Sequence, residues 1–438
     1  MKSLFKKTVI LVLAIEAKLV LKKYKPKIVA VTGTVGKTST KDAVYTALSK
    51  TLSVRKTKKS QNSEFGLPLT ILGAENPVET FSMLAWLKVI AHGLDLILMP
   101  HHYPEWLVLE IGADHPGDIR SAMEWVTPDV SIVTKLSKVP VHVEFFSSVE
   151  QVTREKSYLV RALRPTGTAI LNADDEDVRE FKNLTEAKTI FFGLSDDADI
   201  SAENYEVVYD DRGMPTGIQF DVISRAYHER STVLLKGTLG HHLVYPILAA
   251  LATAEAVGES AAVAAKAFRT HEPTPGRMRL VEGKSGSVII DDTYNSSPVA
   301  VEEALRTLGD MHNHRRIAVL GDMLELGKYS IDAHKRAGEL AAQYADMLVV
   351  IGPRMEYAAQ AANEQGLQNV HAFSHSEEAG EYLAGILEKG DVVLVKGSQG
   401  VRAERVVRAL MADPGEAEKL LVRQDKEWRT RDNKQKKK

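Results

Sequence analysis

No cysteine occurs anywhere in the 438 residues. That absence excludes a disulfide framework and any thiolate metal site, and it fits a reducing cytoplasm. An excess of one charge sign is also missing, since 56 Lys and Arg stand against 58 Asp and Glu for a formal net charge of -2. A nucleic-acid role therefore has no electrostatic support, and any anion site must be local. The chain also lacks both an uninterrupted apolar run long enough to span a bilayer and the small-residue cleavage site of a signal peptide. Two segments come nearest. Residues 4–21 are broken by Lys6, Lys7, Glu16 and Lys18 and followed by Lys22 and Lys23; residues 81–99 contain Trp86, Lys88, His92 and Asp95 and lead into His101-His102-Tyr103-Pro104. Both read as amphipathic helices. They either lie on a membrane surface, with aromatic and lysine side chains at the interface, or pack on each other and on the domain. The expected location is the cytoplasm, with peripheral contact at the inner membrane face under the first reading.

What is present is more specific. A content of 44% hydrophobic and 26% charged residues is that of a soluble globular protein, and 438 residues suggest two or three domains. Near the start, Val29-Ala-Val-Thr-Gly33-Thr-Val-Gly36-Lys37-Thr38-Ser39 is an apolar strand running into a glycine-rich turn. Gly33, Thr34, Gly36 and Ser39 belong to a phosphate cradle of backbone N–H groups; Lys37 reaches the outer phosphates and the Thr38 hydroxyl can hold Mg²⁺. The spacing Gly33-x-x-Gly36-Lys37-Thr38 is shorter than in the usual P-loop. Residues 41–52 read as the helix whose N-terminus adds its dipole to the cradle.

Beyond the cradle, strands at 106–111, 129–134, 168–171 and 189–192 alternate with helical spacing, as over 149–163, which argues for a mostly parallel sheet. Between 205 and 239 the character changes to β-rich segments around Asp211-Arg-Gly-Met-Pro215, which read as an appended antiparallel hairpin, and 243–257 and 261–268 are alanine-rich helices. The prolines and glycine of His271-Glu-Pro-Thr-Pro-Gly276 read as a hinge. A second, Rossmann-like alternation follows, with strands at 287–291, 316–320, 347–351 and 392–395, whose loops fall on one edge. The fold class is α/β. Its divisions are an amphipathic segment (1–26), a P-loop central domain (27–272, with 81–102 inserted), a C-terminal domain (273–412) and a charged tail (413–438) expected to be disordered.

Three further side chains invite attention. Glu110 ends an apolar strand in the P-loop sheet, so it reads as a Mg²⁺ ligand, or else as a solvated strand end. His142 is a ligand for a second metal or a phosphate, or an ordinary loop histidine. Lys156, on the helix over 149–163, reads by itself as a surface lysine.

These residues belong to a set. The motifs Thr32-Gly-Thr-Val-Gly-Lys-Thr38, Asn62-Ser-Glu-Phe-Gly-Leu-Pro-Leu-Thr70, Leu109-Glu-Ile-Gly-Ala113, His142-Val-Glu-Phe-Phe-Ser147 and Asn172-Ala-Asp-Asp175 occur in order, followed by Pro275-Gly-Arg277, Asp291-Asp-Thr-Tyr-Asn295, Val319-Leu-Gly-Asp-Met-Leu-Glu-Leu326 and Val395-Lys-Gly-Ser398. Together they resemble the Mur ligases, the ATP-dependent amide-forming enzymes of peptidoglycan synthesis, and the last three resemble the branch that adds D-alanyl-D-alanine. The resemblance implies ATP and two Mg²⁺ ions as cofactors, with a muramoyl peptide and D-alanyl-D-alanine as substrates. Lys37 would stabilise the transferred phosphoryl group; Thr38 and Glu110 would bind one metal, and His142 with a carbamylated Lys156 the other. Arg277 would reach the ATP phosphates on closure, and Asp292 the ribose. Asn295, Lys396 and Ser398 would lie near the amine substrate. The chemistry implied is carboxylate phosphorylation followed by amine attack on the acyl phosphate.

The pattern also departs from the family. A separate N-terminal uridine-binding domain is usual, whereas only residues 1–27 precede the P-loop strand here. The expectation is that the uridine grip is dispensed with, supplied by a partner protein, or replaced by a lipid-linked substrate met at the membrane. Around Gly240-His241-His242-Leu243-Val244-Tyr245-Pro246 the nucleotide-binding His242 is kept, but Leu243 and Pro246 stand where the family has amides toward adenine. Ser297 replaces the branch's usual Asn. Two other readings are a non-catalytic nucleotide-binding scaffold and another amino-acid ligase of the superfamily.

Overall fold

A computed structural model describes residues 2–57, 65–77, 83–136, 146, 148–424 and 428. Strands β1 (Lys27–Thr32), β2 (Val54–Lys56), β3 (Trp106–Glu110), β4 (Val130–Val133), β5 (Thr168–Asn172), β6 (Lys188–Gly193), β7 (Ile200–Tyr209), β8 (Pro215–Ser224) and β9 (Glu229–Lys236) form one nine-stranded sheet, ordered β2-β3-β1-β4-β5-β6-β7-β8-β9. The pairing is parallel from β2 through β7 and antiparallel for β7-β8-β9. The expected hairpin is there, turned at Asp210–Met214 with Gly213 at φ 75°, but a third strand, β9, extends it. Its turn also braces the second sheet: His314 contacts the Gly213 carbonyl at 3.0 Å and stacks beside Tyr209.

Alternation along β1 decides what covers each face. Val29 and Val31 join Val44, Leu48 and Leu251 in a core under α2 (Lys37–Leu48) and α8 (Val244–Ala256). Ile28 and Ala30 join Leu13, Leu69 and Val89 under α1 (Lys2–Tyr24), α3 (Gly66–Leu72) and α4 (Met83–Leu98). The two apolar segments of the sequence are thus helices packed on each other and on the sheet, and no helix among the described residues is long and apolar enough to cross a membrane. Helix α2 begins at Lys37 rather than at 41, because Gly36 takes the left-handed conformation (φ 85°) that ends the turn.

The second sheet holds β10 (Arg279–Glu282), β11 (Val288–Asp292), β12 (Arg316–Gly321), β13 (Met347–Ile351), β14 (Val370–Phe373) and β15 (Val392–Lys396), ordered β10-β11-β15-β12-β13-β14 and parallel except at β10. The tail expected to loosen at 413 instead stays ordered through 424. Ala417 and Leu421 are buried in the C-terminal core, and the Arg423 guanidinium donates to the Thr293 and Tyr294 carbonyls.

One buried group strains the core beneath α1 and α4. Glu16 is 3% exposed, lies against Gly93, and neither carboxylate oxygen has a hydrogen-bond partner among the described residues. Burial pushes its carboxyl from 4.5 up to about 7. With the folded-state value raised, its contribution is fully present below 4.5 and is lost as pH rises through about 7. Urea melts should therefore show the wild type losing stability between acid and neutral pH by a component that E16Q lacks, and E16L should gain about 2 kcal/mol. Identical pH profiles for wild type and E16Q would mean that this carboxyl is solvated.

Candidate active site

The cradle is built by steric necessity. A Cβ on Gly33 (φ 147°) would stand 1.9 Å from the Thr134 hydroxyl, which itself donates to the Val35 carbonyl at 2.6 Å, so only glycine lets the loop lie against β4. Thr34 N–H donates to the Lys135 carbonyl at 2.7 Å and closes the loop. Lys37 folds back over it, donating to the Gly33 carbonyl at 2.9 Å and the Thr34 carbonyl at 3.3 Å. Burial pulls its ammonium below the ordinary lysine value, opposed by Glu110.

Glu110 is a buried strand end rather than a solvated one. Its Oε1 accepts from the Thr38 hydroxyl at 3.0 Å, while Oε2 is buried without a hydrogen-bond partner among the described residues, 3.6 Å from the ammonium of Lys41. Among the described residues no cluster of three or more His, Asp or Glu could hold a metal by itself. A cation at Glu110 and Thr38 would complete its shell with phosphate oxygens and water, which suits Mg²⁺. Lys156, on α6 (Val149–Arg161), is buried and lines the same cleft, not the surface. Burial first, and the Lys37 charge second, bring its amine down to about 7.

Across the cleft stand the loops after β11, β12 and β15. Lys396 and Asp292 form a buried ion pair at 2.6 Å, and the Lys396 ammonium also donates to the Asn295 carbonyl at 3.0 Å. The Ser398 hydroxyl accepts from Leu324 N–H at 2.9 Å, locking two of these loops together. Arg277 lies over the Tyr294 ring at 4.0 Å, with a buried Nε that has no hydrogen-bond partner among the described residues. His242 keeps a buried Nδ1 with no partner among the described residues, and burial lowers its pKa. Ser297 caps α10 (Pro298–Gly309), accepting from Ala300 N–H.

A cleft of about 1200 Å³ between the two sheets is lined by Thr34, Gly36, Lys37, Thr38, Ser39, Glu110, Lys156, His242, Arg277, Asp292, Asn295, Lys396 and Ser398. Those are the sequence candidates apart from Gly33, which shapes the loop from behind, and His142, which lies outside the described residues, as does the start of the Asn62 motif. Leu243 and Pro246 line it too; Pro246 sits in the first turn of α8, where its missing N–H interrupts no helical bond. Three supports escaped sequence reasoning. Lys41 compensates Glu110, Asp42 accepts from Lys56 at 2.8 Å and from the hinge Thr274 at 3.0 Å, and Asp291 accepts from Gly276 N–H at 3.1 Å and the Thr293 hydroxyl at 2.6 Å.

Family models match this architecture in two pieces: the Mur ligase middle domain over residues 31–254 and the Mur ligase, glutamate ligase domain over 276–399. The chain belongs to the Mur ligase family. It is 26% identical over 406 residues to the UDP-N-acetylmuramoyl-tripeptide--D-alanyl-D-alanine ligase of Bacillus subtilis (strain 168), covering 91% of this chain and 79% of the relative. The ligase of the same description from Mycobacterium leprae (strain TN) is 29% identical over 412 residues, 88% of this chain and 74% of the relative. A crystal structure of MurF ligase from Thermotoga maritima in complex with ADP superposes with a TM-score of 0.75 at 28% identity, covering 91% of this chain and 83% of that one. In this Mur ligase Asp291 is buried and carries the hinge end, so D291A should cost about 3 kcal/mol in urea melts and speed proteolytic cutting within 271–276. Unchanged melting would remove it from the hinge support.

Proposed function

We propose that this Mur ligase joins D-alanyl-D-alanine to the carboxylate of a muramoyl tripeptide, with ATP as the phosphoryl donor, at the cleft between its two sheets. The observation that carries the reading is the convergence there of Lys37, Glu110 and Lys156 from one sheet with Arg277, Asp292 and Lys396 from the other. Residues 27–272 are read as the nucleotide-binding unit and 273–412 as the unit that closes on it about the segment 271–276.

A carboxylate does not form an amide directly, because hydroxide is a poor leaving group. Transfer of the γ-phosphoryl group to the carboxylate oxygen gives an acyl phosphate and ADP; the free amine then attacks the acyl carbon, the C–O bond to phosphate breaks, and the amine proton leaves. Lys37 and the cradle N–H groups are disposed to stabilise the moving phosphoryl charge, and Arg277 adds a second cation from the hinge. Thr38 and Glu110 would hold Mg²⁺, whose chemistry is neutralisation of phosphate charge. The orphaned Glu110 Oε2 fits such an ion. Apolar Phe192, Leu194 and Pro246 beside Asn172 provide a slot for a flat base, with Leu243 in place of an amide.

Lys156 has the property that carbamylation requires. Only a neutral amine attacks CO₂, giving R–NH–COO⁻ and a proton, and an amine brought down to about 7 is largely available at cytoplasmic pH. The resulting anion would relieve its repulsion with Lys37 and offer oxygen ligands to a second Mg²⁺.

Phosphate release from ATP should require both a muramoyl tripeptide and D-alanyl-D-alanine, and K37A should lower it about 10³-fold. Release indifferent to either substrate would defeat the reading. Running the assay with UDP-linked, lipid-linked and carrier-free donors, with and without an added uridine-binding partner, identifies the carrier. Protein equilibrated with ¹³C-bicarbonate should give a carbamate carbon resonance that K156R lacks; a spectrum unchanged by that substitution would reject the carbamate.

A further inference from the structure

We propose that α1 and α4 together form a docking face for an anionic lipid bilayer. Nine of the fifteen large apolar side chains exposed among the described residues lie on these two helices or immediately after α4, so this is a patch and not the usual scatter. On α1, Leu11, Ile15 and Leu19 recur every four residues along the face opposite the buried Val9, Leu13 and Val20. On α4, Leu84, Leu87 and Leu94 stand outward while Trp86, Val89 and Leu96 face the core. Leu11 is 62% exposed and Leu84 71%.

The two helices are held as a unit. Glu16 meets Gly93, and two turns later the Lys23 ammonium donates to the Leu96 and Ile97 carbonyls at 2.9 and 3.1 Å while the Tyr24 hydroxyl donates to Leu96 at 2.9 Å. They therefore run alongside each other in the same direction and present their apolar rows together. Neither can cross a membrane, which leaves the geometry of a pair lying in the interface plane.

Charge selects the occupant. Residues 1–27 carry eight lysines and one acidic residue, Glu16, which is buried; on α4 the exposed Lys88 is accompanied by Asp95, paired with His101 at 2.9 Å. In a chain of formal net charge -2 this is a local basic surface around an apolar centre. A second copy would bring lysine against lysine, whereas anionic headgroups complement the rim and acyl chains the leucines. The face adjoins the start of α3. The Lys6 ammonium lies over the Phe65 ring at 5.6 Å and Phe65 contacts Trp86 at 5.0 Å, at the start of α3, whereas the other end of α1 feeds the start of β1.

The test is flotation of the full chain with phosphatidylcholine vesicles with and without phosphatidylglycerol. Wild type should float with the anionic vesicles, at least about tenfold better than with neutral ones, and less well as salt rises. L87E/L94E should lose at least about tenfold in binding with an unchanged thermal melt, and K22E/K25E, which leaves the apolar rows intact, should lose the preference for anionic lipid. Failure to float, equal binding to neutral vesicles, or retention by L87E/L94E would overturn the proposal. So would light scattering showing a wild-type dimer that L87E/L94E makes monomeric. Flotation needs no turnover, so this result stands apart from the ligase assay.

Discussion

A carboxylate buried at the end of an apolar strand requires compensation, and the position of Glu110 organises much of this molecule. Thr38 donates to one oxygen and Lys41 stands 3.6 Å from the other. Lys41 is in turn 3.6 Å from Asp42, which accepts from Lys56 and from the hinge Thr274. Two residues on, Gly276 donates to Asp291, the neighbour of Asp292 and its partner Lys396. A polar chain thus runs from β3 through the first turns of α2 to the hinge and the second sheet. Breaking one buried member would cost several kcal/mol, because the charge it leaves behind stays buried.

The cleft is electrically lopsided. On its C-terminal side Lys396 is neutralised by Asp292 and the loops are pinned by Ser398 and Leu324, so that wall is preassembled. On the P-loop side burial and the Lys37 charge lower the proton affinity of Lys156, while Lys37 donates to carbonyls of its own loop. Burying two basic side chains side by side is a costly resting arrangement, which an incoming anion relieves. The strain is thus placed where phosphate charge would be bound.

How much of this was legible in the sequence follows from what kind of signal each feature leaves. The P-loop, Glu110 and the loops after β11, β12 and β15 announce themselves because a glycine pattern or strand end fixes the chemistry locally. The motif order that resembles the Mur ligases gave the relative placement of the two sheets' loops. Lys41 and Asp42 left no such mark: on a helix two adjacent charges read as a solvated face, and only the approach of β3 and of Thr274 makes them interior. Lys156 likewise read as a surface residue, since nothing in a helical period says which face meets a cleft. The ordered stretch to Gln424 left no mark because it depends on docking against distant residues such as Thr293, whereas β9, which pairs with β8 across a short local turn, fell within the β-rich region and was simply not separated from the hairpin.

Helix α1 carries the same lesson in reverse. A helix shaped only for stability places apolar residues inward and polar ones outward. Here a carboxyl without a partner occupies an inward position at Glu16 while Leu11, Ile15 and Leu19 face outward. Exchanging these characters would improve both solubility and packing, and Gly93 shows that the neighbouring helix has yielded space to the carboxyl. Packing among the described residues accounts for Val9, Leu13 and Val20 but not for the outward row. That row makes physical sense only if a surface outside the protein completes it, and the lysines around it fix the sign of that surface's charge.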